Sequence, residues 1–192
     1  MKLETNRTAV LSLDAQGGTL RMIGSTPGEM AKAAQVVAAA RRASCSVIHV
    51  CLGFEVGYPE ISPANTRFSA LKEHGLFIKG TESVRPHPSI FEPGDLVVYK
   101  HRTSAFSGNA LQMILHAKGI ETLVLFGFAT SGIVLSTLRQ AADLDFKCIV
   151  IKDACFDRDE EVHRVLTEKV FAAQATVMTA QEFENMILQT IV

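Results

Sequence analysis

A three-layer α/β/α sandwich with a central, mainly parallel, six-stranded sheet is the architecture this sequence predicts. Apolar strand-like runs alternate with amphipathic helical segments along most of the 192 residues. The runs are continuously apolar, as expected of parallel strands covered on both faces. Asp14, Lys100 and the Gly127 turn fall at the C-terminal ends of three of them, where open α/β sheets bind ligands.

Residues 8–13 form the first strand, ending at Asp14. Residues 26–43 form a helix, with Thr26 as cap, Pro27 in the first turn and Glu29 completing a capping box. Residues 46–50 are the second strand and 96–99 the third, which ends at Lys100. A helix over 108–118 stops at Gly119, and 122–126 is the fourth strand. A helix over 132–144 follows, then a fifth strand at 148–152. Residues 159–174 form a helix led by acidic side chains, which suit its positive end. A short strand at 175–178 and a helix at 180–191 complete the alternation, whose crossovers are expected to be right-handed.

Residues 52–93 interrupt the pattern. This long, irregular insertion, rich in Gly and Pro, carries Phe54, Tyr58, Arg67, Phe68, Phe77 and Phe91, too many aromatics for a linker. It is expected to be an ordered wall over a site or a subunit contact within one domain spanning residues 1–192.

Bulk properties narrow the function. Hydrophobic residues make up 47% and charged residues 20%, an ordinary globular balance. A net charge of −1 without a long basic run argues against nucleic acid or an anionic membrane as partner. No apolar run has the length of a membrane span, and residues 1–8 lack a secretory core, so a cytoplasmic location is expected. Cys45, Cys51, Cys148 and Cys155 form no C-x-x-C pair and read as buried, reduced thiols. No Cys/His cluster has zinc-ligand spacing, and neither metal nor cofactor is expected. His49, alone in an apolar strand, reads as a core histidine.

Locally, Asp14 is either a turn cap or an acid/base, and Lys100 either a snorkelling surface lysine or a cation that orients Asp14. The Gly127–Thr137 segment turns from a strand into a helix N-terminus, whose N–H groups favour negative charge. Ser131 on this turn reads as a helix cap.

The order Asp14, Lys100 with Ser104-Ala105-Phe106, Gly127-x-x-Thr130-x-x-Ile133-Val134 and then Asp153-Ala154 resembles the isochorismatase-like hydrolases over about residues 8–178. That resemblance implies a Rossmann-like fold, a small-molecule substrate and a homodimer or larger homo-oligomer. In the family's cysteine hydrolases a nucleophilic thiol stands six residues after the glycine, with Asp and Lys completing a triad. Here that position is Ile133. By resemblance, Asp14, Lys100 and Ile133 occupy the catalytic positions, and the N–H groups of Ala129 and Ile133 an oxyanion hole. The Phe128–Ala129 peptide is where the family often places a cis bond. Phe128, Ala129, Thr130, Gly132 and Phe106 are expected at the substrate, with Phe54, Tyr58 and Arg67 contributed by the insertion.

The resemblance implies a hydrolase acting through an Asp–Lys pair without a cysteine. Isochorismatases proper also lack the thiol and hydrolyse an enol ether with the aspartate as general acid. A catalytically silent small-molecule-binding homologue, or a scaffold, is the alternative. The Asp-x-His pair by which nicotinamidases bind metal is missing at His49-Val50-Cys51-Leu52-Gly53.

Overall fold

The computed structural model describes residues 3–24 and 27–191. Six strands form one sheet: β1 (Thr8–Leu13), β2 (Ser46–Leu52), β3 (Leu96–Lys100), β4 (Thr122–Gly127), β5 (Lys147–Ile151) and β6 (Thr176–Met178). Their order is β3-β2-β1-β4-β5-β6, and every pairing is parallel. This is the order of a doubly wound sheet whose direction of growth reverses between β1 and β4. All six residues of both β1 and β4 are buried, so the sheet is covered on both faces at its centre. That double cover explains why these strands are predominantly apolar, with only Thr8, Ser12 and Thr122 as polar side chains among them.

Among the described residues seven α-helices accompany the sheet: α1 (Gly17–Ile23), α2 (Pro27–Arg42), α3 (Thr66–Glu73), α4 (Leu111–Ala117), α5 (Leu135–Asp143), α6 (Glu160–Val165) and α7 (Ala180–Ile191). Helix α2 buries Met30, Ala33, Val36, Val37, Ala39 and Ala40 and packs against β1, β2 and α7. Pro27 opens α2 as expected. The expected capping residue Thr26 lies outside the described residues. Asp153 accepts from the Ala180 N–H at 2.8 Å and so caps α7.

Several features depart from the expected elements: helix α3 lies within the 52–93 segment, which was expected to be irregular, and α4 begins at Leu111 rather than at 108. Helix α1 was not expected, because Gly17 and Gly18 are poor helix formers. Packing outweighs that propensity: a Cβ at Gly18 would lie 2.6 Å from the Phe77 ring and 2.8 Å from the Ser83 carbonyl. The helix expected over 159–174 is α6 followed by a π turn, Leu166–Val170, and a 3₁₀ turn, Phe171–Ala173. The helix expected over 132–144 begins instead with a π turn, Thr130–Val134, which runs into α5.

The 52–93 segment is ordered around its own small apolar cluster of Leu52, Phe54, Tyr58, Ile61, Phe68, Phe77 and Val84. The Phe54 N–H donates to the Phe77 carbonyl and the Phe54 carbonyl accepts from the Lys79 N–H, both at 2.8 Å, which ties the start of the segment to its middle. Helix α3 sits inside it, with Asn65 accepting from the Phe68 N–H at 3.2 Å as its cap.

Candidate active site

Asp14 follows the last residue of β1. Its φ of +52° lies in the left-handed region, which Asp tolerates better than most residues. Its own N–H donates to the Val50 carbonyl at 2.8 Å. Oδ1 accepts from the Leu52 N–H at 3.0 Å, and Oδ2 lies 2.9 Å from Lys100 Nζ. Lys100 ends β3, two strands away, and only 2% of its side chain is exposed. It is therefore not a snorkelling surface lysine. Its Nζ also donates to the Arg102 carbonyl at 3.0 Å. Burial pushes the Asp14 carboxyl above its ordinary range, against the opposing pull of Lys100, the Leu52 N–H and Arg67.

Gln16 supports this pair, a role the sequence did not disclose. It is fully buried. Its Oε1 accepts from the Leu52 N–H at 2.7 Å, and its Nε2 donates to the carbonyls of Leu52 at 2.9 Å and Ser83 at 3.0 Å. The Leu52 N–H is thus shared between Gln16 and Asp14.

The turn after β4 forms the opposite wall. The Phe128 N–H donates to the Leu13 carbonyl at 3.1 Å, and the Phe128–Ala129 peptide is cis. The Ala129 N–H has no acceptor among the described residues. Ile133 is buried and places its side chain on the cavity. Two expected contacts are corrected here. Thr130 faces away: its N–H donates to the Phe156 carbonyl at 2.8 Å, and its hydroxyl lies 2.9 Å from His163 Nδ1. Gly132, expected at the substrate, does not line the cavity, and its N–H donates to the Ala129 carbonyl at 3.2 Å. Nor does Ser131 cap the helix; its own N–H is capped by Asp157 at 2.7 Å.

These elements enclose a cavity of about 230 Å³. Asp14 and Lys100 lie on it, with Ile133, Phe128, Ala129, Thr19, Thr103 and Leu52 from the sheet edge and its loops, and Met22 and Ile23 from α1. The 52–93 segment contributes Arg67, Phe68, Leu71 and Phe77, which makes it the expected wall. The Arg67 guanidinium has no hydrogen-bond or ion-pair partner among the described residues. Phe106 and Tyr58 do not reach the cavity. Phe106 stacks on Phe146 at 6.0 Å inside the main core, because the chain turns inward after Ser104. Tyr58 donates to the Leu76 carbonyl at 3.0 Å and packs on Phe54, so it stabilises the insertion from within. Phe54 is likewise buried in that cluster. A larger open groove of about 600 Å³ by α1 and α2 brings no carboxylate and cation together.

No cysteine lies on the cavity. All four are buried and free, and burial pushes the thiols of Cys45 and Cys148 up to about 11 and that of Cys155 to about 12. Cys51, beside the Asp14 charge, is pushed higher still. Thiols held this far from ionisation are poor nucleophiles. Among the described residues no three His, Cys, Asp or Glu side chains gather as metal ligands.

His49 is a core residue, with Nε2 3.1 Å from Asp95 and its ring edge-on to Phe91. Burial holds its pKa below the usual 6.5 in spite of Asp95, and burial does the same to His163. A depressed histidine contributes stability that is complete above 6.5 and is lost as pH falls through the folded value. The thermal midpoint should therefore fall as pH drops below about 6.5. His49→Gln should flatten that slope in part, and an unchanged slope would exclude His49 as a source. Asp95, whose pKa is lowered by the Glu92 N–H, His49 and Arg41, adds its own loss only below its ordinary 3.8.

Comparison with known proteins agrees with this architecture. The isochorismatase family protein YecD of Escherichia coli O157:H7 is 29% identical over 198 residues, which cover 97% of this chain and all of that one. Ureidoacrylate amidohydrolase RutB of Rhizobium rhizogenes strain K84 is 30% identical over 209 residues, 94% of this chain and 79% of its own. The crystal structure of a cysteine hydrolase from Pseudomonas syringae pv. phaseolicola 1448A superposes with a TM-score of 0.90 over 99% of this chain and 96% of that chain, at 19% identity, a likeness of fold. The isochorismatase domain model matches residues 8–182. Sheet order, site placement and this match agree, and the chain belongs to the isochorismatase family of hydrolases.

Proposed function

We propose that this hydrolase uses Asp14 as its general acid, with Lys100 as the partner that holds it, and that it acts without a covalent thiol step. The observation that carries this reading is the buried Asp14–Lys100 pair at 2.9 Å on a cavity whose turn position 133 is isoleucine. Burial favours the protonated carboxyl, which is the form a proton donor needs. At this separation the pair can share one proton, and their titrations are coupled.

An enol ether is the substrate class that fits. Asp14 protonates the enol carbon, water adds to the oxocarbenium carbon so formed and returns a proton to the Asp14 carboxylate, and the hemiketal breaks to a ketone and an alcohol. The Ala129 N–H, which has no acceptor among the described residues, is a donor able to meet an oxygen in the cavity. Arg67, an unpaired cation on the wall, suits a carboxylate on the same substrate. Phe128, Phe68 and Phe77 supply the apolar sides.

The test is hydrolysis of carboxylated enol ethers, isochorismate among them, beside small amides including ureidoacrylate, the substrate named for the RutB relative. The native protein should turn over the enol ether and not the amides. Ile133→Cys should gain amide turnover, because it places a thiol at the helix N-terminus facing Asp14 and Lys100. Amide hydrolysis by the native protein that survives Asp14→Asn would overturn this reading. Ligand binding with no turnover in any form would favour the silent homologue, for which the bulk of Ile133 at the nucleophile position speaks.

A further inference from the structure

We propose that His163 is a positioning residue that holds, through Thr130, the turn whose other face closes the cavity. Three polar contacts grip the first two residues of the Thr130–Val134 π turn from behind, all from the 156–163 segment. They are Phe156 O from the Thr130 N–H, His163 Nδ1 on the Thr130 hydroxyl, and Asp157 Oδ2 from the Ser131 N–H. The front of the same turn presents Ala129 and Ile133 to the cavity. A shift of the grip therefore moves the groups that face a ligand.

His163 is itself well fixed. Asp159 caps α6 by accepting from the Glu161 and Val162 N–H groups, both at 3.0 Å. The Thr167 hydroxyl donates to the His163 carbonyl at 2.8 Å. The arrangement thus joins α6 to the end of β4 through one imidazole.

The chemistry of that contact depends on the imidazole proton. Thr130 is fully buried, and among the described residues His163 is the side-chain partner of its hydroxyl. A neutral imidazole can accept the hydroxyl proton at Nδ1. A protonated one can only donate, and the buried hydroxyl proton then loses its acceptor. Burial keeps His163 neutral further into the acid range than an exposed histidine, while the charges facing it, Asp157 before α6 and Glu29 on α2, pull the other way. The grip is accordingly complete at neutral pH and reorganises on acidification. The link to catalysis rests on the Asp14 reading above; the grip itself does not.

The experiment follows the amide resonances of Ala129, Thr130, Ser131 and Ile133 in the ¹⁵N-labelled full chain, together with the His163 ring, between about pH 5 and 8. The turn amides should titrate with the His163 midpoint, below 6.5. In His163→Gln, whose amide can still bond Thr130, that titration should vanish while the neutral-pH shifts stay close to native. His163→Leu should displace the turn amides at every pH. Turn amides that stay flat while His163 titrates, or native shifts in His163→Leu, would overturn the proposal. None of these readouts needs a substrate, so failure here is separable from failure of the Asp14 reading. On any substrate turned over, His163→Leu should cost roughly tenfold to a hundredfold in kcat, with His163→Gln restoring most of it. An equal loss in both variants would mean a purely structural role.

Discussion

Asp14→Asn should reduce hydrolysis by about 10²- to 10⁴-fold, the range that a general acid contributes. Asparagine is the right probe because Asp14 sits at a φ of +52°, a region that Asn tolerates. The fold should survive with a measurable loss. Removing one partner of a buried ion pair costs about 3–5 kcal/mol, and the Asn oxygen, still able to accept from Leu52 or Lys100, should keep the loss below that. Adding Lys100→Met removes the orphaned charge and should recover part of the thermal midpoint without recovering activity. Activity that returns with stability would mean that the carboxyl is structural. The pH profile supplies a second readout. Because the folded Asp14 pKa is raised, the acid form persists above the ordinary 3.8, and activity should fall as pH rises through the raised value. That limb should be missing from Asp14→Asn. Stability carries the same sign: the contribution of Asp14 is complete below 3.8 and is lost as its carboxyl ionises in the folded state, with Lys100 offsetting the loss.

Asp14 and Lys100 were legible in the sequence because strand ends are. An apolar run that stops at a charged residue marks the carboxyl edge of a parallel sheet, and β1, fully buried, and β3, an edge strand, each end this way. The same logic placed the Gly127 turn, whereas the role of position 133 came from the family resemblance. It failed one layer further out, where function depends on which way a side chain turns. Thr130 and Gly132 lie in the expected turn, but hydrogen bonds commit them to Phe156, His163 and Ala129. Gln16 gave no signal, because its bonds to Leu52 and Ser83 span 36 and 67 residues. Helices α1 and α3 were hidden for a related reason. α1 opens with two glycines and is held by Phe77 and Ser83, and α3 buries only Phe68, so neither shows a helical apolar stripe. Phe106 and Tyr58 show the converse error: aromatics near a motif in sequence that the packing draws into apolar clusters instead.

Gly127→Ala should be the most damaging single methyl in the molecule. β1 and β4 approach so closely at their ends that a Cβ at Gly127 would stand 2.2 Å from the Leu13 carbonyl oxygen and 2.6 Å from Leu13 Cβ. Neither can rotate away. The Leu13 carbonyl is fixed by the Phe128 N–H at 3.1 Å, and Leu13 lies at the centre of the core. Relief requires the two strands to part where the sheet changes direction. Overpacking a core typically costs about 1–3 kcal/mol, and a clash with backbone should reach or exceed the top of that range. Urea unfolding measures it, and Gly57→Ala is the control. Gly57 has a φ of +84° and nothing within 4 Å of its missing Cβ, so that substitution carries only the left-handed strain of about 1–2 kcal/mol. A loss at Gly127 no larger than at Gly57 would show that the strands separate freely. The functional effect should outrun the loss of stability, because Asp14 directly follows Leu13 and Ala129 follows Phe128. Parting β1 from β4 pulls the proton donor away from the opposite wall of the cavity, so the folded fraction of Gly127→Ala should itself be impaired.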